Sequence, residues 1–442
     1  MIWRQLYVHH RFYLALGMVI LAFLLGMFSL FIFWLAIVLL LVLGILVVVD
    51  ASRLFGNDRW IDAHRELRQR LSNGDQNPVR LSIKSHYPEA VRVRVIDELP
   101  VRFQIRDLHW AFALAPGATK SVRYTVRPVE RGIYHFGAIH CFVHTKLGLL
   151  IRRHSADAAR AVKVYPSYLQ LRHYSFLAFD KRLQIDGIKR VRQLGHTMEF
   201  EHIREYVQGD DTRVLNWKAT ARTAKPMVNA FQDERAQPVF CVLDKGRLME
   251  MPFEGMTLLD HAINTALVMS YIAIHKQDKA GLITFASKVD AIVPPGRRSH
   301  QMHRILEALY KQQTEFMEAD FEHLAATVRR QARQRSLMLL ITNFESVVGL
   351  RRQLPYLSTI AAHHVVVVIF FQNTELHALT RQPARSLREI YHQTLAEKAL
   401  HEKQLMVRIL RNHGMHAVLT DPGDLTPNTI NQYLALKARG VI

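Results

Sequence analysis

Between Gly195 and Arg222 the chain interleaves five acids with four bases, the densest set of residues able to do chemistry. Glu199, Glu201, Glu205, Asp210 and Asp211 alternate with Arg204, Arg213, Lys218 and Arg222, and Tyr206 and Trp217 stand among them. Two neighbouring carboxylates suggest an acid/base pair, which needs one group protonated while the other is ionised. Adjacent residues rarely converge on one substrate atom, however, and Arg204 and Arg213 would hold Asp210 and Asp211 both ionised. The residues favour a loop fixed in one shape by paired charges, or a charged surface shown to a partner. Gly209-Asp210-Asp211 forms its turn, because Gly accepts positive φ and Asp bonds its own backbone. On this reading Glu199, Arg204, Asp210, Asp211, Arg213 and Arg222 form one network, with Trp217 packed beneath it.

Other routes to catalysis find less support. A covalent mechanism wants a Cys or Ser nucleophile beside a His base, and neither Cys141 nor Cys241 has that context. No Walker A sequence, dinucleotide-binding GxGxxG or nucleophile-elbow GxSxG occurs. His140 with His144, His300 with His303, and His363 with His364 lack Cys or acid at a ligand spacing, so no metal is expected there. The net charge of +20 raises nucleic acid as a partner. The charge is widely spread, and no helix-turn-helix, zinc or aromatic RNA-binding signature accompanies it, so nucleic acid is not expected. Arg329, Arg330, Arg333 and Arg335 read as a solvated helix end.

The elements that would position these residues fall into three patterns. PVFCVLD (ending at Asp244), KAGLITFAS, SLMLLITN (ending at Asn343) and HHVVVVIFF are compact apolar runs suited to strands buried on both faces. Between and after them lie helical stretches at 258–275, 300–312, 321–335, 350–362, 395–412 and 424–438. Strands alternating with helices imply a mostly parallel sheet wrapped by helices over 236–442. Ligands of such sheets bind beyond the carboxyl ends of strands where strand order reverses. That draws attention to Asp244 and Asn343. Upstream, over 76–167, VRLSIKS, AVRVRVIDELP, KSVRYTVRP, GIYHFGAIHCFVHT and ARAVKVYP alternate apolar with polar residues between turn signals, which predicts a β-sandwich. Residues 51–75 read as a helical connector.

The first fifty residues are of another kind. From Tyr13 to Val49 there is no charged residue. One bilayer crossing needs about 20 apolar residues, so the run predicts a transmembrane hairpin with helices near 12–30 and 32–49. A signal peptide's apolar region would be only about 7–15 residues. Arg4 and Arg11 precede the run, and Arg53, Arg59, Arg65, Arg68 and Arg70 follow it. A hairpin is the arrangement that keeps both basic flanks on the cytoplasmic side. Two cysteines agree with a reducing compartment.

Gly195, Glu199, Arg204-x-Tyr206-x-x-Gly209-Asp210-Asp211-x-Arg213, and Asn216-Trp217-Lys218-Ala219-x-Ala221-Arg222 together resemble the bacterial domain-of-unknown-function family fifty-eight. Arg131-Gly132-x-Tyr134-x-Phe136-Gly137, Gly148-Leu149-Leu150 and Val164-Tyr165-Pro166 extend the resemblance into the β region. Segment 168–235 is then the family-motif segment. The resemblance implies a von Willebrand factor A-like domain, Rossmann-like in its sheet, after the sandwich. Such domains hold a divalent cation on Asp-x-Ser-x-Ser, a Thr and a later Asp. Here Gly246 and Leu248 replace the hydroxyl residues and Asn343 the later acid, which leaves Asp244 with a poor Mg²⁺ site.

The expectation is a non-enzymatic protein-interaction module without cofactor, anchored in the bacterial inner membrane, its soluble domains in the cytoplasm. The resemblance also implies partnership with a MoxR-type AAA+ ATPase in assembly or maturation of complexes at the cell envelope. The alternatives are a membrane-tethered hydrolase or a ligand-binding sensor, using the acidic motif or a divalent-cation site.

Overall fold

The computed structural model describes residues 5–56, 60–171, 174, 199–207, 212–232, 236–298, 300–314, 316–381, 383 and 386–442. The chain divides into two compact units, Met1–Tyr165 and Pro166–Ile442.

In the first unit, strand β1 (Leu6–Val8) precedes two apolar helices, α1 (His10–Gly26) and α2 (Leu30–Leu54). Strands follow: β2 (Ile61–Glu66), β3 (Arg70–Ser72), β4 (Asn77–Ser85), β5 (Val91–Asp97), β6 (His109–Leu114) and β7 (Thr119–Val126). The set ends with β8 (Gly132–Phe136), β9 (Ile139–His144), β10 (Leu150–Ala156) and β11 (Arg160–Tyr165). They form three sheets, β1-β10-β9-β5-β6, β2-β4-β7 and β3-β11-β8. Alternation along β4 and β5 buries every second residue. Ile61, Ala63, Leu81 and Ile83 of one sheet share a core with Val91, Val93, Val95, Ile139, Cys141 and Val143 of another.

Two features of this unit differ from the sequence expectation. Among the described residues beyond Leu54 the helical connector is replaced by strands: residues 61–66 are a strand paired with β4 from Ile61↔Ser85 to Glu66↔Arg80. The cause is the Ile61-Asp62-Ala63-His64 alternation, which puts Ile61 and Ala63 into the core and outweighs the helical preference of the charged residues around them. The apolar run divides at Met27-Phe28-Ser29, and its second helix continues to Leu54. Gly26 permits the turn, because a Cβ there would lie 2.9 Å from Phe33 Cα. The 25-residue α2 is long and apolar enough to cross a bilayer. The 17-residue α1 is apolar but shorter.

Both ends of the helical pair return to β10. β1 pairs antiparallel with it from Leu6↔Arg152 to Val8↔Leu150. Near the end of α2, buried Asp50 accepts hydrogen bonds from Leu149 N and Leu150 N at 2.9 Å and from the Thr145 hydroxyl. The last carbonyl of the helix, Leu54 O, accepts from Arg152 Nη1 at 2.6 Å and Tyr87 Oη at 3.3 Å. These bonds satisfy helix-end groups that would otherwise stay unpaired. Away from the sheet the helices and the turn between them expose apolar side chains, with Phe28 at 90% and Phe31 at 78%.

The second unit begins with a ribbon, β12 (Glu199–Glu205) and β13 (Met227–Gln232), that brackets helix α3 (Trp217–Thr223). Next come β14 (Pro238–Asp244), the short pair β15 (Pro252–Phe253) and β16 (Met256–Thr257), α4 (Leu258–His275), β17 (Lys279–Phe285) and β18 (Val289–Gly296). The remainder is α5 (Gln301–Tyr310), α6 (Phe321–Gln331), β19 (Leu337–Ile341), α7 (Val347–Ala361), β20 (Val365–Phe371), α8 (Thr374–Arg381), α9 (Leu387–Asn412), β21 (His416–Thr420) and α10 (Leu425–Ala438). One six-stranded sheet runs β18-β17-β14-β19-β20-β21. All neighbours are parallel except β17 and β18. Every residue of β14, β19 and β20 is buried, as continuous apolar strands between two helical layers must be. One layer packs Ala262, Ile305 and Ile430 of α4, α5 and α10 on the sheet. The other packs Leu324, Leu350 and Met406 of α6, α7 and α9.

Candidate functional site

β14 lies between β17 and β19, so the chain order of the sheet reverses at its edge with β19. Beyond the carboxyl ends of these two strands opens a cleft of about 310 Å³. Its floor is Asp244, the last residue of β14, and Asn343 lines its wall. Asp244 is enclosed, at 3% exposure. One carboxylate oxygen accepts from the Thr342 hydroxyl at 2.6 Å, the other from Gly246 N at 2.7 Å. Burial pushes its pKa up to about 6, against the pull of those two bonds. The next residue, Lys245, turns away to pair with Asp290 at 2.9 Å.

Asn343 is also engaged. Its Oδ1 accepts from Phe344 N at 3.0 Å and from the Lys403 ammonium at 2.8 Å. Lys403 comes from α9, donates further to Phe344 O at 2.6 Å, and lies over the Phe370 ring. Burial lowers its pKa to about 8, with the charge of Glu345 opposing. Glu318, Glu345, Arg247 and Arg352 stand around the mouth, where Arg352 pairs with Glu318 at 2.9 Å.

The divalent-cation pattern is incomplete at this cleft. Gly246 and Leu248 contribute no side-chain oxygen, and Asn343 already accepts from an ammonium ion. A hydroxyl residue in place of Gly246 would be crowded. A Cβ there would lie 3.1 Å from both Ala319 N and Met317 O, and Arg247 N bonds Met317 O at 2.8 Å. The 317–319 loop packs where a Ser side chain would stand.

Sequence reasoning found Asp244 and Asn343 from the strand ends. It missed Thr342, whose signal was its place beside Asn343, and Lys403, which reaches the cleft from 60 residues away. No sequence spacing announces that contact.

The motif segment is built differently. Asn216 starts α3 as its cap, Oδ1 accepting from Ala219 N at 3.0 Å. Its Nδ2 donates to Asn229 Oδ1 at 2.7 Å, and its own N–H bonds Met227 O at 2.8 Å, which ties the helix to β13. Tyr206 is half-buried and its N–H bonds Pro226 O. Gly195, Gly209, Asp210 and Asp211 lie outside the described residues, as do the side chains of Glu199 and Arg213. The expected six-member network therefore falls mostly outside them. Its two described side chains, Arg204 and Arg222, are exposed, as is Lys218. Trp217 is not packed beneath anything: it is 73% exposed. The first turn of a short helix leaves its indole in water, whereas Val228 on β13 is buried.

Among the described residues no group of three His, Cys, Asp or Glu side chains is arranged to hold a metal. Cys141 and Cys241 are buried, and burial pushes both thiols up to about 12, which leaves them protonated and unreactive at neutral pH.

With that geometry in view, sequence comparison locates the segment. Residues 202–381 match the family described as "Protein of unknown function DUF58". The DUF58 match takes in most of the motif, the cleft-forming strands β14 and β19, and α8. "Uncharacterized protein YeaD" of Bacillus subtilis is 25% identical over 228 residues, 50% of this chain and 55% of that protein. "Uncharacterized protein Rv1480" of Mycobacterium tuberculosis is 24% identical over 168 residues, 38% of this chain and 52% of that protein. The chain thus spans about half the length of the curated relatives it matches. Among solved structures, the conserved hypothetical protein BatB from Bacteroides thetaiotaomicron aligns over 46% of this chain and 99% of its own. Its sequence identity is 14% and its TM-score 0.30. Proximal thread matrix protein 1 from the mussel byssus aligns over 46% of this chain and 48% of its own, at 10% identity and a TM-score of 0.29. Scores this low carry no structural argument.

Proposed function

We propose that this chain is a membrane-anchored, non-enzymatic protein-interaction module whose second unit is a von Willebrand factor A-like domain. In this reading the helical pair inserts as a hairpin in the bacterial inner membrane and both soluble units face the cytoplasm. The partner is a MoxR-type AAA+ ATPase, and the task is assembly or maturation of protein complexes at the cell envelope.

The observation that carries the reading is Trp217. A motif residue with an indole standing largely in water is the kind of side chain that anchors protein interfaces. The Asn216 cap fixes the backbone of its helix, which limits the backbone ordering lost on docking. The sheet order, with its single antiparallel edge strand, supports the domain assignment. The cleft supports a role without metal, since Lys403 supplies the positive charge beside Asn343. Joint return of β1 and α2 to β10 supports a hairpin with both flanks on one side, and the Arg-rich flanks support the cytoplasmic side.

The test is affinity purification of the full chain from native membranes, with an AAA+ ATPase identified by mass spectrometry. Trp217→Ala is expected to lower its recovery at least about tenfold with the chain's own yield unchanged. Absence of any such ATPase, or equal recovery with the variant, overturns the reading. A cytoplasmic reporter fused after Ile442 is expected to be active, and a periplasmic reporter inactive.

A further inference from the structure

At the end of the first unit opposite the helical pair, an open groove of about 710 Å³ is lined by five arginines and one acid. Arg65 is committed elsewhere: its side chain is 3% exposed and holds buried Asp97. The other four, Arg68, Arg80, Arg123 and Arg160, are exposed. Arg80 faces Glu66 at 3.8 Å and Ser121 Oγ at 3.4 Å. Among the described residues, Arg68, Arg123 and Arg160 have no ion pair. Moreover, Arg80 and Arg123 are directly opposed across the β4–β7 ladder. Like charges at opposed positions destabilise a sheet, and Glu66 offsets this at Arg80 alone.

We propose that this groove binds an acidic peptide segment of a protein partner. Guanidinium groups favour carboxylates because their planar donors match two oxygens at once. The position argues against a lipid surface. β2 leaves the helical pair at Ile61 and rises roughly 3.3 Å per residue, which puts Glu66 about 16 Å further out. Charge attraction to headgroups is largely screened beyond about 8–10 Å at physiological salt. The lining argues against nucleic acid. Leu67, Pro78 and Val79 supply its apolar part, so there is no aromatic platform on which bases would stack. The groove is separate from the cleft and from the motif, and the inference requires neither to be a partner site.

The experiment uses the full chain in nanodiscs of zwitterionic lipid, with fluorescence anisotropy of a labelled alternating Glu-Ser octapeptide. A Lys-Ser octapeptide and an oligothymidylate serve as competing probes. The Glu peptide is expected to bind saturably and more weakly as salt rises. Arg123→Gln combined with Arg160→Gln is expected to weaken it at least about tenfold, while the melting temperature stays level or rises. Arg329→Gln combined with Arg330→Gln, on the solvated end of α6, is expected to change nothing. The proposal is overturned by no saturable binding, by equal binding to the groove variant, or by a melting temperature that falls along with binding. Tighter binding of oligothymidylate through the same arginines overturns it too, in favour of nucleic acid.

Discussion

Asp50 in the β unit and Asp244 in the α/β unit are both enclosed aspartates at the end of an apolar element. Asp50 accepts from three donors, two backbone N–H groups and a hydroxyl, all on the β9–β10 turn. Asp244 accepts from two, Gly246 N and Thr342, and its neighbourhood opens into a cleft. A carboxylate fully spent on two backbone donors and a hydroxyl ties a helix to a sheet. One that keeps a raised pKa beside a cavity stores an electrostatic cost, and such costs cluster at functional sites. The same residue type at similar burial thus serves as a strut in one unit and as the floor of a cleft in the other.

The most severe test of this contrast is Asp50→Ala. It strands two buried N–H groups and a hydroxyl, and the β unit is expected to lose about 3–5 kcal/mol in urea unfolding of the detergent-solubilised chain. A loss under 1 kcal/mol would mean that α2 is not held by this residue. At Asp244 the sign reverses. Asn keeps the shape and can still accept from Gly246 N, but carries no charge to bury. Asp244→Asn is expected to raise the stability of the α/β unit at pH 7 by about 1–3 kcal/mol. A drop would show that the ionised carboxylate is a structural asset.

Acid separates the two units further. Asp244 titrates near 6 when folded against an ordinary 3.8, so the folded unit binds the extra proton between those values and gains stability as pH falls through them. In the β unit, burial holds His154, bonded to Tyr87 at 2.8 Å, down at about 4 against an ordinary 6.5. There the unfolded chain binds the extra proton, so stability is lost as pH falls from 6.5 toward 4. His154 alone is expected to cost the β unit about 2 kcal/mol at pH 5. Hydrogen exchange resolved by segment should show it opening more readily at pH 5 than at pH 7. His154→Gln should reduce that difference, and an unchanged difference would assign the acid response elsewhere. The smallest expected effect is none at all. Millimolar Mg²⁺ should leave the melting temperature of the full chain unmoved, and a dose-dependent rise that vanishes in Asp244→Asn would restore the metal site.

Legibility differed between the units for a physical reason. Strands β14, β19 and β20 are buried on both faces, so their apolar runs read directly, and α4 and α10 begin within a residue of where periodicity puts them. Strand β18 was not legible. It is the antiparallel edge strand, half-exposed, and Pro294 and Pro295 break its pattern. In the β unit β4, β5, β7, β8, β9 and β11 were legible, but β2 and β3 fell in the stretch that read as helix, and β6 and β10 were not read. Nor was β1, since three residues beside an apolar helix hold no pattern of their own. The site was half legible: Asp244 and Asn343 follow from strand ends, whereas Lys403 and the 317–319 loop do not.

By itself the sequence determined what local chemistry controls: the apolar run that must leave water, the two-sided burial of the central strands, the Asn216 cap, and the lack of hydroxyls after Asp244. Tertiary structure alone decided that β1 and α2 meet on one strand and that Trp217 faces outward. It alone set Lys403 against Asn343 and Arg80 opposite Arg123. Periodicity and propensity act over a few residues. All but the exposure of Trp217 join groups far apart in the chain, where only close packing and the pairing of polar groups choose the partner.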